Sequence, residues 1–99
     1  VKLKALATVS TTLTDADVYL QRRGSRSTVG KVVDGPGTPG STIGIRLTAD
    51  GRTVLDPRWL RYALMHVHGT GQWSQIATGT LALVHITVAD VGALTFAQS

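Results

Sequence analysis

STIGIRLTADGRTVLDPRWLRYALMHVHG, residues Ser41–Gly69, decides how this chain is read, because it holds both a strong strand signal and a strong helix signal. Ile43, Ile45 and Leu47 alternate with Gly44, Arg46 and Thr48, the period of two that lines one face of a strand. Asp50-Gly51 is the preferred pair for a two-residue type I′ turn, whose central positions both need positive φ. A hairpin folded at that turn sets Leu47 opposite Val54 and Arg46 opposite Leu55. It gathers Ile43, Ile45, Leu47 and Val54 on one face, and a slip of one residue would turn Val54 away. The spacing therefore predicts a hairpin over 41–55.

The pattern then changes period. Asp56-Pro57 reads as an N-cap followed by proline at the first helical position. At about 100° per residue, Trp59, Leu60, Ala63, Leu64 and Val67 fill one arc of about 140°. Arg58, Arg61, Tyr62, Met65, His66 and His68 lie outside it, and Gly69 is the stop. A short helix is expected at about 57–67, plugging the core with that arc, and HGTGQW (68–73) is expected as a loop.

On the N-terminal side, KLKALATVS (2–10) has the alternation of a first strand. TDADVYLQRRG (14–24) carries cap and stop signals for a helix, but the Val18–Tyr19 pair favours a strand entered through a TDAD turn. TVGKVV (28–33) reads as a strand with Gly30 as a bend or bulge. DGPGTPG (34–40) is surface loop, expected as a long hairpin tip. It does not fit a Walker phosphate loop, which needs Gly-Lys-Ser/Thr opening a helix. On the C-terminal side, TLALVHITV (80–88) is apolar on both faces, as in a central strand or a partner contact. Ala89–Gly92 is expected as a turn and Ala93–Gln98 as a last strand.

Composition agrees with a β-rich reading. The chain of 99 residues has 14 threonines, 11 glycines, no glutamate, no asparagine and no cysteine. Helical bundles use glutamate and lysine on their solvent faces, whereas threonine and valine suit a pleated surface. The expected fold is mainly β: a single domain over 1–99, a small barrel or sandwich of five to seven strands with one short helix. The segment VGKVVDGPG…IGIRLTADGRTVLDPRWL resembles the two-hairpin layout of SH3-like barrels. That resemblance implies shape only, since such barrels bind nucleic acids and proteins alike.

Charge is segregated. All ten Lys and Arg lie between Lys2 and Arg61, and from Tyr62 onward the only charged side chain is Asp90. A pI near 10.1 makes a polyanion partner a candidate, with Arg22, Arg23, Arg26 and Lys31 as its contacts, although the net charge of +4 is modest and also fits a solvated basic face. The uncharged C-terminal third suits subunit contact, with Leu81, Leu83, His85, Leu94 and Phe96 as the candidate interface. No run of 18 apolar residues is present to span a membrane, and the start does not read as a secretory signal.

The histidines are His66, His68 and His85. A pair at spacing two plus a third on a later strand could form an open three-histidine zinc site. On a helix, however, positions 66 and 68 point about 160–200° apart and cannot share a metal. The spacing His66-x-His68-x3-Gln72-x6-Gly79 is similar to the first cupin motif, but Gln72 replaces its glutamate, Leu60 its glycine, and no second motif follows. There is no GxSxG elbow, and all six aspartates fall at predicted turns or caps. The expectation is a non-enzyme without cofactor, metal or small-molecule substrate. Its lead role is an assembly subunit, homo-oligomeric or part of a larger body. Thr/Gly/Ala/Val-rich chains lacking Cys are common among virion structural proteins such as phage head or tail components, and by that association the virion is the expected setting and the cytoplasm the other. The alternatives are an SH3-like nucleic-acid-binding module and a small zinc site.

Overall fold

The computed structural model describes residues 1–80 and 82–96. A 3-10 turn at Leu3–Ala5 leads into β1 (Ala7–Ser10), β2 (Val18–Gln21), β3 (Arg23–Gly24), β4 (Val32–Val33) and β5 (Thr42–Leu47). Then come α1 (Ala49–Val54), α2 (Pro57–Gly69), α3 (Gln72–Ile76), β6 (Thr78–Gly79), β7 (Val84–His85) and α4 (Val88–Gly92).

The alternation in β5 is realised: Ile43, Ile45 and Leu47 are all buried on one face. Their antiparallel partners carry the same face, with Val9 and Val18 opposite Ile45 and Leu20 opposite Ile43. The sheet order is β1-β5-β2-β4, so β1 and β2 run parallel with β5 between them. Residues 11–17 must therefore cross over β5, and they do so at Gly44. A Cβ there would stand 2.8 Å from the Cβ of Leu13 and 3.1 Å from that of Ala16. Asp17 anchors the crossing by accepting from the Leu47 amide at 2.8 Å and from Arg52 at 2.8 Å.

The predicted hairpin over 41–55 does not form. The strand arm is β5, but its partner is β1, drawn from some forty residues earlier. The chain turns at Thr48, whose backbone N–H and hydroxyl both donate to the Leu6 carbonyl, at 2.9 and 3.2 Å. The same hydroxyl accepts from the Gly51 amide at 3.0 Å and so caps α1. Asp50-Gly51 lies inside that helix, with Gly51 packed against the Leu6 carbonyl where no Cβ would fit. Val54 is correspondingly exposed instead of sharing the face of Ile43. Tertiary pairing with β1 has overridden a local turn preference.

Further along, α2 matches its expected start and runs two residues past the expected end. Asp56 caps it by accepting from the Arg58 amide at 2.8 Å, and Leu60 and Leu64 are fully buried. Burial of each such leucine contributes about 1.5–3 kcal/mol. The buried arc is narrower than the periodicity predicts. Trp59 is 50 % exposed rather than core, and Ala63 and Val67 are only half-buried. The segment expected as a loop instead turns at Gly71 (φ 78) into α3, which drives Trp73 into the core.

The second sheet is short, with order β3-β7-β6 and register Arg23↔His85 and Thr78↔His85. Of the described residues in the long strand predicted at 80–88, only Val84 and His85 form strand, central in their sheet. The expected turn at 89–92 is α4, closed by a capping box in which the Thr87 hydroxyl accepts from the Asp90 amide and the Asp90 carboxylate from the Thr87 amide. Of the predicted last strand, the described part makes a single bridge, Lys2↔Thr95, and Ala97 and Gln98 lie outside the described residues. Among the described residues the chain is mixed α/β, with four α-helices and two open antiparallel sheets of four and three strands. Neither sheet closes, so the mainly-β reading, the barrel or sandwich and the SH3-like layout are all corrected.

Candidate binding surfaces

The three histidines of the zinc reading lie on two elements, His66 and His68 on α2 and His85 on β7. His66 and His68 sit on α2 as the helical spacing required, and they do not converge. His66 is exposed, and His68 Nε2 lies 2.8 Å from the Ser27 carbonyl. His85 Nε2 lies 3.4 Å from the Thr78 hydroxyl. Among the described residues no three His, Cys, Asp or Glu side chains come together as a metal site. Five of the six aspartates are engaged structurally: Asp15, Asp17 and Asp34 with Arg46, Arg52 and Arg61, and Asp56 and Asp90 as caps.

The ion pairs divide the bases into two classes. Arg46, Arg52, Arg58 and Arg61 each hold a carboxylate, at 2.7, 2.8, 3.4 and 3.1 Å. Arg22, Arg23, Arg26 and Lys31 hold none among the described residues. They lie on one excursion of the chain between β2 and β4. Its return is a turn from Thr28 to Lys31 followed by a β-bulge. The Gly30 amide donates to the Gln21 carbonyl at 2.8 Å, and the Gln21 amide donates to the Lys31 carbonyl at 2.8 Å. Gly30 takes φ +81 there, as the first bulge position requires, in keeping with the bulge predicted at that glycine.

The four bases differ in freedom. Arg22 donates to the Gly40 carbonyl at 3.1 Å, and its Nε is buried with no described partner. Arg26 donates to the Ser74 carbonyl at 2.8 Å and ties the excursion to α3. Arg23 and Lys31 are exposed. Arg23 lines a cleft of about 430 Å³ whose opposite wall is the Gly35–Gly40 loop, and a second of about 230 Å³ with Leu83 and His85.

The predicted interface residues are dispersed. Leu94 is buried in the core, Leu83 is 58 % exposed, and His85 is half-buried in β7. Leu81 lies outside the described residues. Phe96 is half-buried and meets Trp59 edge-on, with ring centroids 5.8 Å apart. That contact joins Phe96 to an apolar surface that periodicity alone did not assemble. The outer face of α2 carries Trp59 at 50 %, Tyr62 at 69 % and Met65 at 48 % exposure. The helical wheel had already put Tyr62 and Met65 outside the buried arc. The missed signal was that a tryptophan at the arc's edge extends the outer stripe.

At Asp56, the side-chain hydrogen bond from Arg58 is the main cause holding the carboxyl below its ordinary value, and the same bond holds the guanidinium above its own. The bases bordering the apolar stripe of α2 are thus locally neutralised, Arg58 by Asp56 and Arg61 by Asp34. Among the described residues, no helix is long and apolar enough to cross a membrane. Compared with protein families, curated proteins and solved structures, the chain matches none.

Proposed function

We propose that this chain is a non-catalytic assembly subunit that meets a second copy of itself through the outer face of α2 and the edge of Phe96. The observation that carries the reading is the row Trp59, Tyr62 and Met65, three large side chains about half exposed or more on one helix. Contiguous apolar patches on small proteins mark contact surfaces, and aromatic and methionine side chains are enriched at such contacts. A second copy suits the face because its arginines already hold carboxylates of their own chain. Two identical faces then meet without opposing free charges, as a two-fold contact requires. A composition rich in Thr, Gly, Ala and Val and free of Cys fits the same reading, with a phage head or tail as its setting.

Sedimentation velocity over a concentration series tests it. The expected result is a mass rising above 10.4 kDa with concentration, and a Tyr62→Asp variant that stays monomeric. A wild-type chain that remains monomeric at every soluble concentration overturns the proposal.

A further inference from the structure

We propose that the cleft between Arg23 and the Gly35–Gly40 loop binds phosphate groups of a nucleic-acid backbone. The loop is built as a donor surface. Three of its carbonyls are occupied: Pro36 O accepts from Thr42 Oγ1 at 2.7 Å, Thr38 O from Ser41 Oγ at 2.6 Å and from the Ser41 amide at 3.0 Å, and Gly40 O from Arg22 at 3.1 Å. Its amides are free: those of Gly35, Gly37, Thr38 and Gly40 donate to no acceptor among the described residues. Unpartnered backbone N–H groups gathered at a concavity favour anions.

The charge is placed to match. Arg23 lines the cleft and has no ion pair among the described residues. Lys31 does not line it but is bonded across the bulge to Gln21, which does, through the Gln21 amide and the Lys31 carbonyl at 2.8 Å. The one carboxylate beside the loop, Asp34, is held by Arg61 at 3.1 Å. At this cleft Arg22 is a positioning residue: buried at Nε, it fixes the loop through Gly40.

A polymer fits better than a single phosphate, because Arg23 also lines the second cleft, beside Arg22 and His85. A backbone running past Arg23 would meet both. Among the described residues no aromatic side chain lines either cleft, and the nearby Tyr19 is buried with its hydroxyl accepting from the Ala16 amide. The bases would therefore go unread and binding would be independent of sequence.

Fluorescence anisotropy with a labelled random-sequence duplex DNA tests this. Binding is expected at low salt, with log affinity falling against log salt at a slope of about −2 for two neutralised phosphates. Arg23→Ala and Lys31→Ala are each expected to bring that slope about 0.9 closer to zero. Lys4→Ala removes the same charge at a different cleft, beside α4, and is expected to leave the slope unchanged. Both Arg23 and Lys31 are exposed, and circular dichroism checks that the variants fold. No binding at low salt overturns the proposal, as does an equal effect of Lys4→Ala, which would mean diffuse attraction. If inorganic phosphate protects the chain from unfolding while the duplex fails to bind, the cleft serves free phosphate, and the nucleic-acid assignment is overturned.

Discussion

Gly30 lies against the indole of Trp73, so close that a Cβ at position 30 would overlap Cδ1 of the ring. The contact joins the first position of the bulge between β2 and β4 to the largest fully buried side chain of the molecule. It explains why a residue in a strand-like stretch must be glycine on two counts. The backbone is left-handed there, at φ +81, and the space above it is taken.

Gly30→Ala is accordingly expected to destabilise the fold by about 2–5 kcal/mol, summing left-handed strain and overpacking. Urea denaturation read by tryptophan fluorescence checks it. Gly69→Ala is the contrast: it lies at the end of α2 with nothing within 4 Å of the added Cβ. Alanine there is expected to be neutral or to stabilise by about 0.5 kcal/mol.

Thr48 tests the replacement of the predicted hairpin by strand and helix. In the hairpin it would be one arm of a surface Thr48–Thr53 pair, and its loss would cost little. In the structure its hydroxyl both accepts from the Gly51 amide and donates to the Leu6 carbonyl. Thr48→Ala is expected to cost about 1–2 kcal/mol, measured by the same denaturation, while Thr48→Ser keeps most of the stability.

Asp56 gives a pH signature. Its carboxyl is held below the ordinary value chiefly by the side-chain hydrogen bond from Arg58, so the folded chain binds that proton less readily than the unfolded one. The stabilisation is present above the unfolded value, near pH 4, and is lost as pH falls through the lowered folded one. Asp56→Asn keeps an acceptor for the Arg58 amide but cannot titrate. Its stability is expected to fall below wild type at neutral pH, with the gap closing in strong acid. A gap that stays constant from neutral pH down to strong acid would disprove the linkage.

The parts legible from the sequence were those settled within a few residues. The α2 start follows from Asp56-Pro57, the β2 strand from Val18–Tyr19, and the separation of His66 and His68 from helical geometry alone. The parts that were not legible depend on distant segments. Asp50-Gly51 is a turn signal in isolation, but Leu6 supplies a carbonyl that Thr48 takes up and β1 supplies a partner for β5. Gly44 looked like the outward member of an alternating strand, whereas it clears the way for the crossing at Leu13 and Ala16. The basic cluster was visible by count. Its freedom from ion pairs became visible only when the other arginines were found paired.

Trp59 separates folding from association. It is half exposed and touches Phe96 at its edge, so removing it uncovers little core. Trp59→Ala is expected to cost about 1 kcal/mol or less of folding stability. Leu64, five residues further along and fully buried, should cost about 2–5 kcal/mol as Leu64→Ala. For association the order reverses. A half-exposed aromatic at the centre of a contact is the type of residue whose truncation costs about 2 kcal/mol or more in binding, at least a tenfold weaker dimer. Sedimentation velocity on a folded Trp59→Ala chain reads the second effect, and urea denaturation under dilute, monomeric conditions reads the first. Loss of stability without loss of association would place Trp59 in the core after all and remove the outer face of α2 as the contact.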